Sequence, residues 1–106
     1  MIARMWHGQV PKEKTELYHQ YLLQTGLKDY EETKGNRGVF LLKREEASIT
    51  HFYTLTFWDD LTSIRQFAGD DYEKARYYPA DKEFLLEFEP NVTHFDVLEK
   101  PDYLFG

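Results

Sequence analysis

Apolar and polar positions alternate with a period of two in several stretches of this chain and recur at helical spacing in others. That contrast predicts most of its elements. Residues 2–7 read as a strand with Ile2, Arg4 and Trp6 on one face and Ala3, Met5 and His7 on the other, ending at Gly8. Pro11 sits where a first helical residue is favoured, and Leu17, Tyr18, Tyr21 and Leu22 share one stripe, so a helix is predicted over 11–25 with Gly26 as its left-handed cap. The polar stretch 28–37 reads as a loop. Residues 38–44 and 49–58 are rich in β-branched and aromatic side chains and are joined by polar residues, which predicts a hairpin. Its second strand alternates His51, Tyr53, Leu55 and Phe57 with Phe52, Thr54, Thr56 and Trp58, so neither face is plainly polar. A second helix starts at a cap on Asp59 or Asp60, carries Leu61, Ile64, Phe67 and Ala68, and ends at Gly69. The helical reading continues over 70–78; Pro79 then opens a short helix with Phe84, Leu85 and Phe88 on one stripe, which Pro90 stops. Residues 92–98 alternate as a last strand.

The order strand, helix, strand, strand, helix, strand is the β-α-β-β-α-β pattern of the ferredoxin-like α+β fold, with helices on one face of a four-stranded antiparallel sheet. Residues 1–106 make one such domain. An antiparallel sheet with a solvated second face shows clean alternation, whereas here the first strand and the hairpin carry large apolar groups on both sides. Something must cover the second face. A second copy does so most simply, because a two-fold dimer buries both exposed faces through one self-complementary contact. The expectation is a homodimer whose sheets face each other and enclose a cavity, with the apolar tail in 99–106 docking on the partner.

Composition narrows the function. The chain has 13 Lys and Arg against 19 Asp and Glu, a formal charge of −6, and its densest basic region is broken by Asp29, Glu31 and Glu32, which argues against a nucleic-acid surface. Zero Cys removes disulfides, thiolate nucleophiles and Cys-containing metal sites. No apolar stretch approaches the roughly 20 residues of a membrane span and no targeting segment is visible, so a cytoplasmic protein away from membranes is expected.

The run FWDDLTSIRQFAGDDYEKARYYPADKEFLLEFEP, followed by VTHFDVLE, with RMWHGQVP at the start and the tyrosines of the first helix, resembles the antibiotic-biosynthesis-monooxygenase-type family of dimeric α+β barrels. Its most specific pieces are Trp58, Phe67-Ala68-Gly69, Tyr77-Tyr78-Pro79 and His94. The resemblance implies a cofactor-free oxygenase: a polycyclic phenol or anthrone-like substrate is deprotonated in the cavity, and the resulting carbanion reduces dioxygen directly. The protein then supplies a dry aromatic pocket, a proton acceptor and donors to the developing enolate. A subgroup of similar barrels degrades haem using an Asn in the first strand, a Trp in the second helix and a His about ten residues later. The matching helical positions here are Phe67 and Tyr77, and the first strand has no Asn, so haem is not expected.

On this reading His94 is the base, with His7 and His51 as alternatives, and Arg4 or Arg76 is the anion partner. Trp6, His51, Tyr53, Trp58, Phe67 and Tyr78 contact the substrate. Each residue also has a plainer role. His94 suits a hydrogen-bonded core or interface histidine, Trp6 and Trp58 suit core aromatics, and Tyr18 and Tyr21 suit packing. Arg4 resists such a reading, because an arginine alternating with Ile2 and Trp6 on a central strand is buried and must meet a carboxylate, Asp96 or Glu99, or a ligand anion. His7 and His51 lack metal-ligand spacing, so no metal is expected. The competing functions are a small-molecule-binding barrel without catalysis and an isomerase or lyase that works by proton transfer without oxygen.

Overall fold

The computed structural model describes residues 1–104. Four strands, β1 (Ile2–Pro11), β2 (Asn36–Glu46), β3 (Ile49–Trp58) and β4 (Thr93–Asp96), form one antiparallel sheet in the order β2-β3-β1-β4. The helices α1 (Thr15–Gln24), α2 (Gly26–Glu32) and α3 (Leu61–Ala68) complete the ferredoxin-like α+β architecture. Short 3-10 turns at Lys12–Lys14 and Pro79–Glu83 sit before α1 and within the long connection to β4.

Several boundaries differ from the sequence reading, each for a local reason. β1 continues past Gly8 to Pro11 because the bare Gly8 backbone makes room for the Trp6 indole: a Cβ there would lie 2.4 Å from the ring. Gly26 does not cap α1 in a left-handed conformation. Thr25, at φ −121° and ψ −92°, breaks the helix, and Gly26 opens α2, where the polar loop was expected. Leu27 and Tyr30, three apart and both buried, hold this helix against the core.

The hairpin is longer and tighter than predicted, with Glu46 opposite Ile49 and Ala47 in the left-handed region at φ 37°. α3 follows the prediction closely. Asp60 accepts from the Ser63 amide at 2.9 Å and from its hydroxyl at 3.0 Å, and Gly69, at φ 87°, ends the helix.

Residues 70–78 and 84–88 are not helical. Instead Lys74 bridges Asn91, the Ala75 amide donates to the Pro90 carbonyl at 2.9 Å and the Val92 amide donates to the Glu73 carbonyl at 2.8 Å, which closes 73–92 into a loop. β4 is correspondingly short and pairs only with Ile2–Met5.

The core lies on the helix-covered face in two clusters, one around Trp6, Val10, Tyr18 and Phe52 and one around Tyr30, Trp58, Ile64 and Phe67. The opposite face has no helix over it among the described residues, and Phe40, Leu42 and Phe95 remain 43–48% exposed on it. Of the apolar tail, Tyr103 is exposed and Phe105 lies outside the described residues. No described helix is long and apolar enough to cross a membrane.

Candidate functional site

The register sorts the candidate residues onto two faces. Arg4 and Trp6 on β1 pair with Thr56 and Thr54 on β3, and His94 on β4 lies opposite Arg4, all on the covered side. Strand alternation sends His7, His51 and Tyr53 to the other side.

Above Arg4 and Trp6 is a recess between the sheet and the helices. Thr54 completes the floor, Tyr18, Leu22, Gly26 and Tyr30 come from α1 and α2, Phe67 comes from α3, and Arg76, Tyr78 and Asp81 close it from the 70–92 segment. Its free volume is about 20 Å³, room for one water molecule.

Arg4 is 1% exposed. Its Nη2 donates to the Lys74 carbonyl at 3.3 Å, its guanidinium lies 5.4 Å from the Phe67 ring centroid, and its Nε has no hydrogen-bond partner. No carboxylate among the described residues pairs with it, and Asp96, one of the two expected partners, is an exposed residue at the end of β4. Burial lowers the Arg4 pKa, Tyr30 opposes that and the Arg76 charge adds to it. An arginine nonetheless keeps its proton in a protein. Arg76 is better satisfied, with Nη1 donating to the Phe67 carbonyl at 3.0 Å and Nη2 lying 3.3 Å from Asp29. It stacks over both Phe67 and Tyr78.

Asp81 lines the same recess as the two cations. It is 3% exposed, accepts from the Tyr18 hydroxyl at 3.0 Å and from the Tyr78 amide at 2.7 Å, and has its pKa pushed up by burial against those two hydrogen bonds. Burial, then Asp81, raises the Tyr18 phenol, and burial, then the hydrogen bond to Asp29, raises that of Tyr78, so both phenols stay protonated. The recess therefore presents aromatic walls, a buried cation with an idle donor and a buried carboxyl of enhanced basicity.

Five of the residues given a site role from the sequence, Arg4, Trp6, Phe67, Arg76 and Tyr78, share this recess. Trp58 lies behind it at 0% exposure, donating Nε1–H to Thr56 at 2.8 Å. His94 is beside Arg4 but faces an open groove with Tyr72 and Glu73; its Nε2 is buried without a partner, and its pKa is lowered by burial and then by Arg4. His51 and Tyr53 belong to a separate cluster with His7 on the uncovered face. Asp81 and Tyr30 line the recess although no sequence pattern marks them.

Fold and recess together define a ferredoxin-like α+β protein with a potential small-molecule site on the covered side of the sheet. Solved structures that share this fold include two that cover nearly the whole chain. One is a mutant of MhuD with two manganese protoporphyrin IX molecules bound per active site, at TM-score 0.65 and 13% identity over 95% of this chain and 98% of that one. The other is Rv0793 from Mycobacterium tuberculosis, at TM-score 0.60 and 14% identity over 93% and 96%. No protein-family model and no curated protein matches the sequence. The recess itself does not fit a porphyrin: it has room for one water, and no histidine lines it to ligate iron.

Proposed function

We propose that this chain is a protein of the antibiotic-biosynthesis-monooxygenase type whose recess binds a small aromatic or quinone-type compound through an anionic oxygen. Buried Arg4, with no counter-carboxylate among the described residues and an idle Nε–H, carries the reading. An uncompensated buried charge is costly, and a phenolate or enolate would complete it with a charge-assisted hydrogen bond. Trp6, Tyr30 and Phe67 supply the aromatic walls. Asp81 takes the substrate proton, its raised pKa bringing it closer to the working pH of a general base. Arg4 holds the negative oxygen as charge develops, and the electron-rich substrate then reacts with dioxygen without help from a cofactor. Entry requires displacement of the wall made by Arg76 and Tyr78, since the recess as it stands has room for only about one water. Two copies meet through the uncovered face that carries Phe40, Leu42 and Phe95.

A second reading, binding without turnover, is favoured by the engagement of both Asp81 oxygens in hydrogen bonds within the protein. One pair of experiments separates the two. Purified protein is titrated with an anthrone and a dihydroquinone, and oxygen uptake is followed without added metal or flavin. Binding with accelerated uptake supports the oxygenase, and binding alone supports the second reading. Arg4→Met should weaken binding by at least about tenfold, the loss expected for a hydrogen bond to a charged group. Unchanged affinity in a folded Arg4→Met protein would refute the anion site.

A further inference from the structure

On the uncovered face of the sheet, four side chains from four places in the chain form an unbroken hydrogen-bonded line. Glu89, from the segment that closes the recess, meets Nδ1 of His7 on β1. Nε2 of His7 lies 2.8 Å from Nδ1 of His51 on β3, and Nε2 of His51 lies 2.5 Å from Oε1 of Glu46 on β2. The ring planes differ by only 15°, and Tyr53 stacks on His7 at 4.8 Å. Arg44 reaches the same Glu46 oxygen at 3.0 Å.

Hydrogen counting fixes the charge of this line. Each of its three links needs one hydrogen between its heavy atoms. Ionised carboxylates bring none, so Nδ1 of His7 and Nε2 of His51 must donate outward. Two neutral imidazoles would then face each other with lone pairs at 2.8 Å, which is repulsive. One further proton closes the line, wherever along it that proton resides. Another beyond that would set two N–H groups against each other and open it again. With a single extra proton the line carries one net negative charge, which Arg44 balances. Among the described residues, Glu46 from β2 and Glu89 from the segment bond the pair, Tyr53 from β3 stacks on His7, and Arg44 from β2 reaches Glu46.

We propose that Glu89–His7–His51–Glu46 is a proton-binding site that holds one shared proton and thereby fastens the segment closing the recess. The mechanical link is Glu89, whose side chain is held by His7 while its carbonyl accepts from the Tyr77 hydroxyl at 2.6 Å, next to Arg76 and Tyr78 in the recess wall. Loss of the shared proton leaves two hydrogens for three links, so either the two rings repel or one ring turns a lone pair on its carboxylate, and the hold of His7 on Glu89 weakens. The site depends neither on the identity of the ligand nor on a second copy covering this face.

Nitrogen-15 NMR of histidine-labelled protein tests the hydrogen count, and amide exchange tests the link. Over one pH interval the four ring nitrogens of His7 and His51 should carry three hydrogens, and on raising the pH further both rings should respond in one common transition. Exchange over residues 73–92, corrected for its intrinsic pH dependence, should speed up about tenfold or more through that transition, as loss of a charge-assisted hydrogen bond implies. In His51→Gln the common transition should vanish and exchange should be fast throughout. Rings that pass from fully charged to neutral with no three-hydrogen interval, independent titrations, or exchange that ignores the transition would each overturn the proposal. The wild-type measurements decide the matter even if His51→Gln fails to fold.

Discussion

Arg4 and Asp81 are opposite charges in one recess, and their burial shows different things about the chain. Arg4 was legible in the sequence, because alternation with Ile2 and Trp6 forces it inside. Its surroundings were not legible, since the expected carboxylate depends on where the strand ends lie, and the structure offers a backbone carbonyl instead. Asp81 was hidden among 19 acidic residues, and only packing of the 70–92 segment against α1 buries it.

That burial has a measurable consequence. The folded carboxyl binds its proton more tightly than the unfolded one, so between the unfolded value, near 3.9, and the raised folded value the native state holds more protons. Stability from this group therefore falls as pH rises through that window and is recovered as pH drops. Asp81→Asn keeps the acceptor for Tyr18 but cannot titrate. Urea unfolding across pH should show wild type gaining on Asp81→Asn as pH falls from neutrality toward about 4. A pH-independent difference would mean that Asp81 titrates alike in both states.

At the scale of elements, legibility followed the range of the signals. β3 and α3 are written locally, in strict alternation and in an Asp60 cap with a Gly69 stop, and they appear where the pattern puts them. α2 is not, because Leu27 and Tyr30 alone mark its buried side within a charged stretch. The helix expected over 70–78 is absent, and the one expected to open at Pro79 and run toward Pro90 forms only as the 3-10 turn Pro79–Glu83, both for the opposite reason. Their apolar residues have helical spacing, but pairing of Lys74 with Asn91 and the contacts of 73–92 hold the chain open.

β1 exceeded its predicted end because Gly8 serves as a shelf for Trp6, its neighbour two residues back on the same strand face, a close approach that no turn rule detects. Gly8→Ala would drive a methyl into that ring and to 3.0 Å from Leu85. It should lower the unfolding free energy by about 1–3 kcal/mol in urea titrations, as overpacking does. Wild-type stability in this variant would show that the Trp6 ring relaxes freely.

For the whole molecule, the sheet has one finished face and one unfinished one. The apolar groups left on the latter match the two-sided pattern of the sequence, and a second copy is the occupant proposed for it. Leu42→Glu places a charge on the β2 edge of that face without touching the recess. Sedimentation should then change from a dimer to a particle of 12.7 kDa, with ligand affinity retained. A wild-type chain sediments as a monomer if the face instead meets solvent, and the proposed pairing would then be lost while the recess remained.

The outer wall of the recess comes from a stretch whose only regular piece is the turn Pro79–Glu83. Replacements at its tip can reshape what is admitted while the strands keep their register. An architecture of this kind separates heritage from trade: descendants can swap customers by rewriting some twenty letters and leave the frame that carries them intact.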